Sequence, residues 1–322
     1  MELNVKDRKI LYELSRDARL SAAKIAKKAG ISKDVAVYSI NKMISRSIIK
    51  RLITLIDTER LGFTRYEVFI RLWNTDKDAE KKLIDYLVDH PMSLWVRSSL
   101  GDWDILSEFY VRNPSEYESI IRDMTSRFKS CIRSIDSSVV ISEYSFPLKC
   151  IGYRKEELLE EQDTSGISLD DKDYVILRRL SSDARANVID IAKEAKLSSD
   201  AVIYRIRNML KSGVIKGYRV VIDESHLGYG KYKLVLKMKS LDDKSYNSLL
   251  TFMKLHPSSQ YIKRCVGNWD FSITLLAKDQ EDLRKIISDI KSNLKENLDD
   301  YKILMMFEEH KNTYFPEGVT SS

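Results

Sequence analysis

The sequence predicts an α+β protein: two winged helix-turn-helix domains and two ferredoxin-like βαββαβ domains in one chain. Three observations carry that prediction. The chain repeats itself at a fixed offset, the first sixty residues of each repeat carry helical periodicity, and the rest of each repeat alternates apolar strand-like runs with charged helical stretches.

The repeat organises everything else. Sliding the 322 residues against themselves by 166 positions aligns 3–110 with 169–276 without a gap, and 34 of the 108 positions are identical. Asp17-Ala18-Arg19 answers Asp183-Ala184-Arg185, Leu61-Gly62 answers Leu227-Gly228, and His90-Pro91 answers His256-Pro257. Gly101-x-Trp103-Asp104 answers Gly267-x-Trp269-Asp270. Stacked arrays have periods of roughly 20–50 residues, so an offset this long marks a duplicated protein. The domains fall at 1–60 and 61–150 in copy one and at 169–226 and 227–316 in copy two. A linker at 151–168 contains KEELLEEQDTSGIS, an acidic helix tail followed by flexible residues. The closing PEGVTSS reads as a frayed end.

Each copy opens with three short helices. Ile10, Leu11 and Leu14 share one helix face, as do Ile176, Leu177 and Leu180. A second helix turns Ile25, Ala26 and Ala29 inward, matched by Ile191, Ala192 and Ala195. Ser32 and Ser198 are placed to cap a third helix, whose apolar stripe is Ala36, Ile40 and Met43 or Val202, Ile206 and Met209. Gly213 ends the second of these helices, where copy one has Ser47. A basic β-rich run follows, IIKRLITLID or VIKGYRVVID. Three helices and a basic ribbon make a winged helix-turn-helix, whose third helix enters the major groove of double-stranded DNA. Opposite the apolar stripe lie Lys33, Tyr38, Asn41 and Lys42 in copy one. In copy two they are Ser199, Tyr204, Arg207 and Asn208, with Arg205 at the flank. Arg and Asn can make paired hydrogen bonds to guanine and adenine.

Charge follows the same division. Residues 1–60 hold 14 Lys and Arg against 7 Asp and Glu, and residues 167–226 hold 11 against 9, in a chain whose net charge is +6. No run approaches the roughly 20 apolar residues of a membrane helix, and the N-terminus is charged where a secretion signal would be apolar. Three cysteines without CxxC spacing argue against a disulfide framework and a zinc site. The expectation is a cytoplasmic protein.

These residues resemble the Lrp/AsnC family of transcription regulators. The carrying motifs are Asp-x-x-Ile-Leu-x-x-Leu-x-x-Asp-Ala-Arg at 7–19 and 173–185, the run at 198–215, and the later Gly-x-Trp-Asp turn. The likeness covers nearly the whole chain twice. Copy one departs at Ser39, Asn41 and Ser47, where copy two has Arg205, Arg207 and Gly213. The first recognition helix is therefore expected to read different bases or to contribute mostly phosphate contacts, and the preferred site to be an imperfect palindrome. The resemblance implies an amino acid or similar small effector and assembly of chains into a homo-oligomer.

The second half of each copy reads as strand, helix, strand, strand, helix, strand: YEVFIRLW, a helix over 78–90, MSLWVRSSL, WDILSEFYV, a helix over 114–128 and a strand over 134–142. The Gly-x-Trp-Asp turns offer backbone amides at Gly101 and Gly267, with Asp102, Asp104, Asn268 and Asp270 as acceptors for an effector amino group. The alternative is a tight turn with tryptophan packed on the sheet. Fusion makes the dimer covalent, at about millimolar effective concentration.

Two other readings compete. One is an architectural protein that compacts DNA with little sequence preference. The other is a sirohaem decarboxylase-like enzyme, since such enzymes resemble this family in both halves. The four histidines (His90, His226, His256 and His310) lie at no metal-ligand spacing, and no nucleophile or phosphate-binding motif is present. The expectation is a regulator without a cofactor, and not an enzyme.

Overall fold

The computed structural model describes residues 3–73, 76–151 and 168–320. Copy one runs α1 (Val5–Arg16), α2 (Ala22–Ala29), α3 (Lys33–Ser45), β1 (Ile49–Ile56), β2 (Thr64–Leu72), α4 (Lys77–Asp89), β3 (Ser93–Leu100), β4 (Ile105–Val111), α5 (Pro114–Arg127) and β5 (Ile132–Ser145). Copy two repeats the order as α6 (Asp171–Ser182), α7 (Val188–Ala195), α8 (Ser199–Lys211), β6 (Ile215–Ile222), β7 (Gly230–Met238), α9 (Asp243–Leu255), β8 (Ser259–Gly267), β9 (Phe271–Ala277), α10 (Gln280–Leu294) and β10 (Leu298–Asn312). The expected linker falls almost wholly outside the described residues. No described helix is long and apolar enough to cross a membrane.

The chain folds as two compact units. The first gathers residues 1–62, 151–227 and 313–322, and holds both helical heads. Polar residues cap nearly every helix there: Asn4, Ser21, Ser32, Asn187 and Ser198 each accept from a backbone amide of the first turn. Asp170 and Asp173 form a reciprocal capping box at the start of α6. The predicted apolar stripes are the buried ones: Ile10, Leu11, Leu14, Ile25, Ala36, Ile40 and Met43 in one head, and Ile176, Leu177, Leu180, Ile191, Val202, Ile206 and Met209 in the other. Ser47 takes a φ of 56° where Gly213 takes 75°, so copy one ends α3 in the left-handed region without a glycine.

The run after α3 is a single strand rather than a wing hairpin, and its partner is its own repeat. β1 pairs antiparallel with β6 over Ile49–Ile56 and Ile215–Ile222. The exchange is reciprocal: the Ala18 amide donates to the Tyr218 carbonyl, and the Ala184 amide to the Leu52 carbonyl. The expected frayed end is also ordered in this unit up to residue 320. Val319 is fully buried, and Arg178 donates to the carbonyls of Glu317 and Val319.

The second unit gathers residues 63–150 and 228–312. Copy one contributes strands in the order β3-β4-β2-β5, the ferredoxin-like arrangement, and copy two contributes the same order as β8-β9-β7-β10. Pairing of β5 with β8 and of β10 with β3 closes all eight into one barrel. In copy two, α9 and α10 bury Leu249, Met253, Ile286 and Ile290 against Leu234, Ile273 and Leu275. On the opposite face, residues of both copies share one cluster: Phe69, Trp103, Leu106, Val235, Trp269, Leu304 and Met306. Trp103 and Trp269, equivalent in the repeat, meet edge to face with ring centroids 5.9 Å apart.

Candidate nucleic-acid interface

The third helix of each head is built to show one face to solvent. Ser32 Oγ accepts from the Val35 amide and Ser198 Oγ from the Ala201 amide, which fixes where α3 and α8 begin. With the apolar stripe inward, Tyr38 is 69% and Tyr204 66% exposed. Lys33, Asn41 and Arg207 are exposed, and Lys42, Ser199 and Asn208 half-buried. All nine expected contact residues keep some access to solvent, Arg205 among the half-buried ones.

Arg205 differs from the others in being held by its own head. Its guanidinium forks onto the Asp170 carboxylate at 2.8 and 2.9 Å and reaches Asp173 at 2.9 Å. Those are the capping-box aspartates of α6, so the arginine ties the recognition helix to the first helix of its own head. Its hydrogen bonds draw the Asp170 carboxyl below the ordinary range. Copy one carries Asp7 at the place of Asp173 and Ser39 at that of Arg205. Ser39 is buried, and Asp7 Oδ1 has no hydrogen-bond partner among the described residues. The Ser39/Arg205 difference thus alters how a head is braced, because Arg205 turns its guanidinium to carboxylates of its own head.

The basic ribbon is corrected in the same sense. Lys50 pairs with Asp223 at 3.1 Å and Lys216 with Asp57 at 2.9 Å, the same contact twice across the repeat. These lysines hold β1 to β6. Burial alone would raise the Asp223 carboxyl, but Ser225 and Lys50 outweigh it and hold it at about 2.

The Gly-x-Trp-Asp turns, expected to face an effector, are occupied by the protein itself. The Asp104 carboxylate accepts from the Leu72 amide at 2.7 Å, and Asp270 from the Met238 amide at 2.8 Å and Lys237 at 3.1 Å. Asp102 pairs with Arg71 and Lys302, and Asn268 donates to Asp136 at 2.6 Å. Gly101 and Gly267 have φ near +144° and +142°. A side chain at Gly101 would meet the Ile303 carbonyl, and one at Gly267 the Ser137 carbonyl. What the glycines admit is the backbone of the other copy.

The strongest electrostatic cluster was not anticipated. Inside the barrel, Lys233 Nζ lies 2.6 Å from Glu67 Oε1, and Lys263 bonds both Glu67 and Glu108. Burial would raise the Glu67 carboxyl, yet Lys233 and Lys263 hold it far below the carboxylate range. Burial would lower the Lys263 ammonium, yet Glu108 and Glu67 hold it well above its usual value. The available signal was Glu67, the second residue of YEVFIRLW, answered at the repeat offset by Lys233, opposite in sign.

Comparison with known proteins agrees with the heads. Residues 3–44 match a family model described as AsnC-type helix-turn-helix domain, and residues 169–216 match one described as winged helix-turn-helix DNA-binding. The chain is 32% identical over 125 residues to the transcriptional regulator AzlB of Bacillus subtilis, spanning 38% of this chain and 80% of AzlB. It is 30% identical over 122 residues to the transcriptional regulator LrpA of Pyrococcus horikoshii, spanning 37% and 84%. Among solved structures, the siroheme decarboxylase NirDL superposes with a TM-score of 0.64 at 14% identity, covering 96% of this chain and 93% of NirDL. That likeness is one of fold. It overturns the expectation that rules out catalysis, because an enzyme is built on the same tandem architecture from end to end. With an AsnC-type head at its start, a second winged head after the repeat, and regulators that each match about one copy, the chain belongs to the Lrp/AsnC family.

Proposed function

We propose that this chain is a sequence-reading transcription regulator of double-stranded DNA in which the two copies act as one covalent pseudo-dimer. The observation that carries the reading is the pair of capped helices α3 and α8, each with its apolar stripe inward and Tyr38 or Tyr204 standing out at one place in the repeat. Lys33, Tyr38, Asn41 and Lys42 would contact one half-site, and Ser199, Tyr204, Arg207 and Asn208 the other. Arg207 and Asn41 are the base readers of the two sets, because both are exposed and stand at one repeat position with different donor geometry. The preferred site is then an imperfect palindrome with half-sites about one helical turn, roughly 34 Å, apart or a multiple of it. Selection from random DNA tests this, and a perfectly symmetric consensus refutes it.

One observation favours a second reading, the end-to-end likeness to NirDL. On that reading the chain takes a tetrapyrrole such as siroheme and decarboxylates it. Titration with siroheme distinguishes the two: a shifted visible absorption band and loss of carboxyl groups support the enzyme, and an unchanged spectrum removes it.

A further inference from the structure

Equivalent residues of the two copies touch each other inside the barrel, which places them on its approximate two-fold axis. Trp103 meets Trp269, and Glu67 meets Lys233, each pair separated by the repeat offset of 166. The tryptophan pair is indifferent to which copy faces which. The charged pair is not. In a barrel made from two copies of module one, Glu67 would face Glu67, and in one made from two copies of module two, Lys233 would face Lys233. Both side chains are nearly devoid of solvent, at 2% and 3% exposure, so neither like-charged pair could be relieved by water.

The surrounding charges repeat the asymmetry. Module one brings Arg65 and Arg97 against Glu67, Glu108 and Glu143, whereas module two brings Lys231, Lys233 and Lys263 against Glu309. A self-pair of module one would double an acidic excess, and a self-pair of module two a basic one. The mixed pair sets one excess against the other, as in Lys263 with Glu67, Glu108 and Glu143. The rim agrees: Asp102 meets Lys302 and Asn268 meets Asp136, so a self-pair of module one would bring Asp102 to Asp136.

We propose that this buried charge arrangement makes the two ferredoxin-like modules of the chain obligate partners of each other and bars either from closing a barrel with its own kind. The inference rests on the pairing within the proposed pseudo-dimer and not on what the heads bind. It identifies the partner of each module as the opposite module, from the same chain or from a second chain.

The test uses full-length chains. All four tryptophans, Trp73, Trp95, Trp103 and Trp269, lie in the barrel unit, so their fluorescence during denaturant unfolding reports on the barrel. In E67K two lysines meet on the axis, and in K233E two glutamates do. Each variant alone is expected to lose on the order of 100-fold in the ratio of folded to unfolded barrel. Co-expressed in one cell, the two variants can exchange modules. Module one of the K233E chain and module two of the E67K chain are both unaltered and together rebuild the wild-type barrel. About half the tryptophan signal should then unfold at the wild-type denaturant concentration, even where a single variant fails to fold alone. Wild-type unfolding by either single variant, or a co-expressed pair no more stable than its members, overturns the proposal. Either result leaves DNA selection by α3 and α8 to be judged by its own experiment.

Discussion

The head unit and the barrel unit both join copy one to copy two, and they do so by opposite means. In the heads the backbone and ion-pair contacts that flank the paired strands occur twice in equivalent form: Ala18 to Tyr218 and Ala184 to Leu52, Lys50 to Asp223 and Lys216 to Asp57. Such contacts would serve two identical heads equally well. In the barrel the central contact occurs once, between residues equivalent in position and opposite in charge, Glu67 and Lys233. Symmetric contacts supply affinity, and an asymmetric buried pair supplies the choice of partner. Duplication permits this, because once the copies are separate stretches of one chain they can diverge at the axis where they meet.

The largest effect that would break the comparison lies on that axis. Lys233→Met leaves Glu67 buried with one of its two lysines gone and should cost about 3–5 kcal/mol of barrel stability, read by tryptophan fluorescence in denaturant. Glu67→Leu combined with Lys233→Leu should cost less than the sum of the single changes, since no charge is left unpaired; additive losses would show that the pair is not coupled. Next is Gly267→Ala, which combines a forbidden φ with a clash at the Ser137 carbonyl and should cost about 1–3 kcal/mol in the same assay.

On the head side, Arg207→Ala should cost about 1–3 kcal/mol in DNA affinity and relax base choice in one half-site only. Arg205→Ala should leave base choice unaltered while lowering head stability, measured by hydrogen exchange of α6 and α8. A changed consensus for Arg205→Ala would return it to the readers. The smallest effect belongs to the ribbon. Because the Asp223 carboxyl is held at about 2, below its ordinary 3.8, its stabilising contribution is full above the ordinary value. It fades as pH falls toward 2. Lys50→Ala should move that loss to higher pH, observable in acid titration by circular dichroism.

Much of this architecture is legible locally. The serine caps at Ser32 and Ser198, the spacing of Ile10 with Leu14 and of Val202 with Met209, and the alternation within the second half of each copy depend on neighbours within a few residues. Those signals place the helices within a residue or two and the strands within a few residues, and they select the exposed faces of α3 and α8. The duplication is a property of the sequence as text. Arg205 shows the limit: helical spacing places it beside a recognition face, but the aspartates that claim it are 35 and 32 positions away and come near only when α6 folds back on α8.

The sequence by itself therefore determined the repeat, the three-helix heads, the βαββαβ order and the outward residues of α3 and α8. Only the tertiary structure decided that β1 pairs with β6, that eight strands close into one barrel, and that Glu67 finds Lys233 across 166 residues. The reason is physical. Caps and periodicity are satisfied within a few residues, whereas a strand edge and a buried charge accept any geometrically suitable partner. Which one they take is settled when the whole chain competes for the same low-dielectric interior.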